Sequence, residues 1–170
     1  MQLTGSQLDT LKTWLTSNAG GLNDEAAAAL LNAAGAAPNN VAWRRGVPLA
    51  EVSTKINGTE LAGLTTGNHT RLQTVVVLIN SAGGVRPELA DQRSFWDDIF
   101  SGAGGAITRP ALLALWKRTA TVGEKLFATG TGSDANPMTF GTNATGGGLF
   151  GVSLEGLITT ANISEARNRP

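Results

Sequence analysis

The stretch from Ser94 to Pro137, SFWDDIFSGAGGAITRPALLALWKRTATVGEKLFATGTGSDANP, constrains the fold more than any other part of the chain. Its apolar residues recur at helical spacing: Phe95, Ile99 and Trp96 in one segment, then Leu112, Leu113, Leu115 and Trp116 in the next. The glycine hinge Gly102-Ala103-Gly104-Gly105 separates the two segments, and a polar, Gly-rich stretch follows them. Segments of this kind bury their apolar stripes by packing helix on helix.

The same periodicity runs through the N-terminal half. Leu8, Leu11 and Leu15, with Trp14 beside them, predict a helix over about Ser6–Ser17, capped by Thr4 or Ser6. A second helix starts near Asn23-Asp24, where a carboxylate suits the positive end of the helix dipole, and stops at Gly35. Val41 to Arg45 reads as a short extended piece. Pro48 suits a first helical turn, with Leu49, Val52 and Ile56 on one face and Gly58 ending the element. The strongest core helix spans about Thr66 to Ser81, where Leu72, Val75, Val76 and Ile79 recur at i, i+3, i+4 and i+7. Pro87 opens the next segment. Ser94 with Asp97, and Thr121 with Glu124, have capping-box spacing, and Thr108 reads as a further cap.

From Gly130 to Gly148 the composition shifts to Gly, Thr, Asn and Ser, followed by Leu149, Phe150, Val152, Leu154, Leu157 and Ile158. Val152 and Leu154 are compatible with a short strand or hairpin, and Ser164 to Arg167 with a last helical turn. The expectation is therefore a mainly α fold: a compact multi-helix bundle over residues 1–129 and a Gly-rich C-terminal arm over 130–170. The arm is expected to be protease-sensitive in the isolated protein and protected in an assembly.

Composition narrows the function classes. The 170 residues carry 13 basic and 13 acidic side chains, and the longest basic cluster is Arg44-Arg45. Nucleic-acid binding needs clustered cations that displace counterions, so no specific nucleic-acid partner is expected. The chain has no Cys, which excludes disulfides and thiolate metal sites. The start, MQLTGSQLDTLKTWL, lacks the basic and apolar regions of a signal peptide, and no apolar run approaches a membrane span. The N-x-S/T triplets at Asn57, Asn68, Asn143 and Asn162 read as chance in an Asn- and Thr-rich chain.

No residue pattern assembles a catalytic, metal or cofactor site. His69, the single histidine, has no partner in a zinc-binding pattern. Asp97 and Asp98 are neighbours on a helix and point about 100° apart, so they do not form a carboxylate dyad. Gly146, Gly148 and Gly151 spell GxGxxG without a preceding strand or a later acidic residue, which reads as linker. Asp134-Ala135-Asn136 lacks the later Gly and Glu of a calcium loop. Trp14, Trp96 and Trp116 sit at core spacing. Trp43, beside two arginines, leaves two readings open: packing against Arg stems, or an interface, where Trp and Arg are enriched.

FWDDIFSGAGG and ALLALWKRTATVGEKLFATGTGSDANP resemble a family of small uncharacterised proteins of tailed bacteriophages and prophages. VAWRRGVPLAEV and ELAGLTTGNHTRLQ are similar to the N-terminal part of the same family, so the resemblance covers most of residues 1–140. The stretch Thr142 to Gly148 is an addition to the family pattern. The resemblance implies a non-enzymatic virion protein made in the bacterial host cytoplasm, with no cofactor and no small-molecule substrate. Its partners would be copies of itself and other phage structural proteins. A head–tail connector, adaptor or other tail component assembling as a ring is the expectation. A capsid decoration protein, or an assembly chaperone or host-interaction module absent from the particle, are the alternatives. Trp43, Arg44, Phe140, Leu149, Phe150, Leu154 and Ile158 are the expected assembly contacts: an arm that orders on binding needs apolar anchors, for which Leu149, Phe150, Leu154 and Ile158 are the candidates, and Trp and Arg are enriched at interfaces.

Overall fold

The computed structural model describes residues 3–36, 38–140 and 157–170. In chain order the helices are α1 (Gly5–Asn18), α2 (Asp24–Asn32), α3 (Leu49–Ser53), α4 (Gly58–Ala62), α5 (Thr66–Ser81), α6 (Ala90–Ile99), α7 (Thr108–Leu115), α8 (Val122–Phe127) and α9 (Thr160–Arg167), with a 3₁₀ turn at Gly102–Gly105. The strands are β1 (Val41–Trp43), β2 (Lys117–Thr119), β3 (Ala128–Thr129) and β4 (Thr139–Phe140). β1 pairs with β2, and β3 runs antiparallel to β4. The fold is mainly α, as the periodicity predicts.

Contacts divide the chain into two units, and the division differs from a body of 1–129 with an arm of 130–170. Unit 1 takes its described residues from 1–42 and 119–170; unit 2 is 43–118. The physical reason is the placement of α9. Ile158, Ile163 and Ala166 are buried in one cluster with Leu8, Leu11, Leu15, Ala27 and Leu31. The last residues therefore complete the core that α1 and α2 begin.

Polar contacts fix that closure. The Asn32 side chain donates to the Ile158 carbonyl at 2.9 Å and accepts from the Ile158 N–H at 2.8 Å, as a strand neighbour would. Arg167 donates to Asp24 Oδ1 at 2.6 Å and to the Leu22 carbonyl at 2.7 Å. Arg169 makes a two-pronged bond to Asp9, at 2.6 and 3.2 Å. Planar guanidinium and carboxylate match at such a fork, which fixes orientation as well as distance. Thr4 with Gln7, Thr121 with Glu124, and Thr159 with Asn162 form capping boxes at α1, α8 and α9.

The start of the Gly-rich stretch is also built into unit 1. Residues 130–138 link β3 to β4, and the link bonds back to β1: Val41 N–H donates to Gly132 O at 2.7 Å and Met138 N–H to Val41 O at 2.8 Å. Gly130 and Gly132 have φ of 99° and 74°, a region where only glycine is unstrained. Met138 and Phe140 are buried with Ala42 and Ala120. Val152, Leu154 and the GxGxxG glycines lie outside the described residues.

Unit 2 buries Trp43, Val47, Val75, Ile79, Val85, Trp96, Phe100 and Trp116 together. Trp96 stacks on Phe100 at 6.4 Å and meets Trp116 edge-on at 6.4 Å, geometries that suit the ring quadrupoles. The glycine hinge is a packed turn. A Cβ on Gly105 would overlap the Phe100 carbonyl, so Gly105→Ala is expected to lower the thermal midpoint of unit 2, while Gly104→Ala, which meets nothing, leaves it unchanged. Thermal unfolding of the two variants checks this.

Four local expectations change. Ser94 lies inside α6 rather than capping it, and Phe95 turns outward while Trp96 turns in. Gly58 begins α4 instead of ending α3, with Asn57 as the cap. Thr108 is the first residue of α7 rather than its cap, because Glu60 takes the capping role from another part of the chain.

Candidate functional site

Among the expected assembly contacts, Phe140 and Ile158 are buried in unit 1 and Trp43 in unit 2. These three serve the cores. Trp43 lies under the Arg93 guanidinium, 4.3 Å from the ring centroid, with the Lys117 ammonium at 5.9 Å. It packs against these two cations. Arg44 is held in a fork to Glu51 at 2.7 and 3.2 Å and donates to the Leu115 carbonyl at 3.3 Å. Leu149, Phe150 and Leu154 lie outside the described residues.

The acids do structural work. Asp97 pairs with Arg109 at 3.1 Å. Glu60 accepts from the N–H groups of Ile107 and Thr108, both at 2.8 Å, while the Thr108 hydroxyl accepts from Asn57 N–H at 3.0 Å. The Thr108 hydroxyl and then these two amides hold the Glu60 carboxyl below its ordinary 4.5. The hydrogen bond from Arg44 does the same for Glu51. A folded value below the unfolded one stabilises the fold fully above pH 4.5 and is lost as pH falls through the folded values. Glu60→Gln is therefore expected to be less stable than the native protein at pH 7, with the gap closing below pH 4.5. Denaturant midpoints at pH 7 and pH 3 check this; a constant gap would show that the charge of Glu60 contributes nothing.

The Asn triplets have local roles. Asn57 caps α4, Asn68 donates to the Ile99 carbonyl at 3.0 Å, and Asn162 is buried at the start of α9. Among the described residues, no three His, Asp or Glu side chains group as metal ligands. No described helix is long and apolar enough to cross a membrane.

Two surface features of unit 2 remain. The first is an apolar strip on α5 and α6. Val75 and Ile79 face the core, which turns the intervening residues away from it: Val77 is 69% exposed and Leu78 60%. Phe95 of α6 is 50% exposed and lines a groove of about 160 Å³ together with Leu78. The second is a cavity of about 430 Å³ between α6, the 3₁₀ turn and α7, walled by Arg93, Trp96, Asp97, Arg109, Leu112 and Trp116 among others. No family model, curated protein or solved structure matches this chain.

The strip was open to sequence reasoning. Five consecutive apolar residues, Val75 to Ile79, sweep more than a full helical turn, and a core on one side cannot take them all. The cavity left no comparable signal, because its walls come from residues 93 to 116 brought together only by the turn at Gly102–Gly105.

Proposed function

We propose that this chain is a non-enzymatic structural protein of a tailed-bacteriophage virion, a head–tail connector, adaptor or other tail component that assembles as a ring. The observation that carries the proposal is the exposed Leu78 and Phe95, which line one groove, with Val77 exposed next to Leu78 on α5. Large apolar side chains left exposed on packed, well-formed helices are a feature of protein-interaction surfaces. The resemblance of FWDDIFSGAGG and the following segment to phage proteins gives the setting. The balanced charge, 13 acids against 13 bases, lets many copies pack without mutual repulsion.

In this reading the contact surface is a helical face of unit 2, and the helix α9 belongs to unit 1 as a structural closure. Electron microscopy of particles from the phage or prophage that encodes the chain tests the placement. Ring-shaped density on the tail axis that fits units 1 and 2 is expected. Density spread over the capsomers would replace the ring with a decoration role.

A further inference from the structure

The apolar strip of unit 2 carries its own counterparts. The groove of about 160 Å³ between α5 and α6 is walled by Val75, Leu78, Ile79, Ala82, Gln92 and Phe95. Gln92, the one polar residue among them, accepts from the Arg86 N–H at 2.6 Å. An apolar cavity of roughly 150 Å³ admits a benzene ring, so a groove of this size takes one large apolar side chain. Side chains of that kind stand on the same surface, where Val77, Leu78 and Phe95 are exposed. Hole and knob therefore share one face.

The charges around the strip are few and of both signs. α5 carries one charged side chain in 16 residues, Arg71. Arg71 and Leu78 are about two turns apart and on the same side of the helix. On α6, Asp91, Phe95 and Asp98 follow the i, i+4, i+7 spacing of one face. Arg71, Asp91 and Asp98 are exposed, and their side chains make no hydrogen bond or ion pair among the described residues. The other charged groups of α6 are engaged: Asp97 by Arg109, and Arg93 by the Pro87 carbonyl and the Trp43 ring. The two helices run antiparallel. Asn68, near the start of α5, donates to the Ile99 carbonyl at the end of α6. Ala82, just past the end of α5, lines the groove with Gln92, near the start of α6. Arg71 and Asp98 therefore lie at one end of the strip and Asp91 at the other.

From these observations we infer that the strip pairs with the same strip on a second copy of this chain, about a two-fold axis. In such a contact the same patch serves both copies, so it must be complementary to itself. The rotation turns α5 end for end and seats an apolar side chain of each copy at the groove of the other. It also brings each Arg71 to the end where the other copy carries Asp91. Asp98 shares the Arg71 end, so at each end one guanidinium meets two carboxylates and no cation faces a cation. The inference rests on the reading of the strip as an assembly surface and names what covers it; a ring built this way is a ring of pairs.

Sedimentation velocity on the whole protein over a range of concentrations tests the pairing. The native protein is expected as a dimer or an even multiple of it. Arg71→Glu sets three carboxylates together at each end and should weaken association at least roughly tenfold. Arg71→Glu combined with Asp91→Arg should restore native association, because the exchanged charges again attract across the axis. Within one chain the two positions lie at opposite ends of the strip, so the rescue reports a contact between copies. Both side chains are exposed, and both variants are expected to keep the native melting curve. A native protein that is monomeric at every concentration, an odd-numbered oligomer, association unchanged by Arg71→Glu, or no rescue by the double variant would overturn the inference. Virions play no part in this measurement, so these outcomes leave placement in the particle to electron microscopy. A protein that pairs in solution yet is missing from virions defeats the placement alone.

Discussion

Ile163→Ala is expected to destabilise unit 1 by about 2–5 kcal/mol, the cost of truncating a fully buried isoleucine and leaving a cavity. Ile163 has no exposed surface and sits among Leu8, Leu11, Leu15 and Leu31. Ending the chain after residue 156 should do more. It removes Ile158, Ile163 and Ala166 from the core, together with the Arg167 and Arg169 clamps and the partner of the Asn32 side chain. Each buried isoleucine alone is worth about 1.5–3 kcal/mol of apolar burial, against a net stability of about 5–15 kcal/mol for a whole domain. The truncated protein is expected to lose cooperative unfolding of unit 1 by circular dichroism and calorimetry. An arm beginning at residue 130 would make both changes harmless, so unchanged melting would contradict the closure by α9.

The second large effect concerns the strip on unit 2. Val77→Lys combined with Leu78→Lys should leave folding nearly intact, because both side chains already face outward and surface changes usually stay within about 0.5 kcal/mol. Association should be lost. Side chains at the centre of an interface cost about 2 kcal/mol or more when removed, which is roughly thirtyfold in affinity for each, and a buried unpaired ammonium adds to that. Sedimentation velocity over a range of concentrations reads the effect: the native protein forms a defined oligomer, and the double variant stays monomeric with an unchanged melting curve. A native protein that is monomeric throughout and joins no particle component would remove the strip as an assembly surface.

The residues show why some features were legible in sequence and others were not. α5 was predicted over its full span, since its apolar positions repeat with a helical period and Gly83 and Gly84 stop it. α1, α2 and the box at α8 were legible through Thr4, Asn23 and Thr121, caps whose bonding is local. The start of α7 was not, because Glu60, its capping group, lies far upstream and such a bond leaves no local spacing to read. The membership of α9 in unit 1 was missed for the same reason. Gly-rich composition after residue 130 reads as an arm, yet Ile158, Ile163 and Ala166 find their partners at the other end of the chain.

Three of the expected contact residues are buried in the structure. Trp43, Phe140 and Ile158 are large and apolar, and the character that suits such a residue to an interface also suits it to a core. Exposure decides between the two, and it depends on the fold. The strip at Val77 and Leu78 could have been found by counting how far round the helix the apolar run extends.

The claim that this chain is part of a phage particle is tested most directly by quantitative mass spectrometry of purified virions from the phage or prophage that encodes it. The account predicts the protein in the particle at a fixed ratio to known tail-axis components, retained through gradient purification. Abundant protein in the infected lysate with none in the purified virion would contradict it.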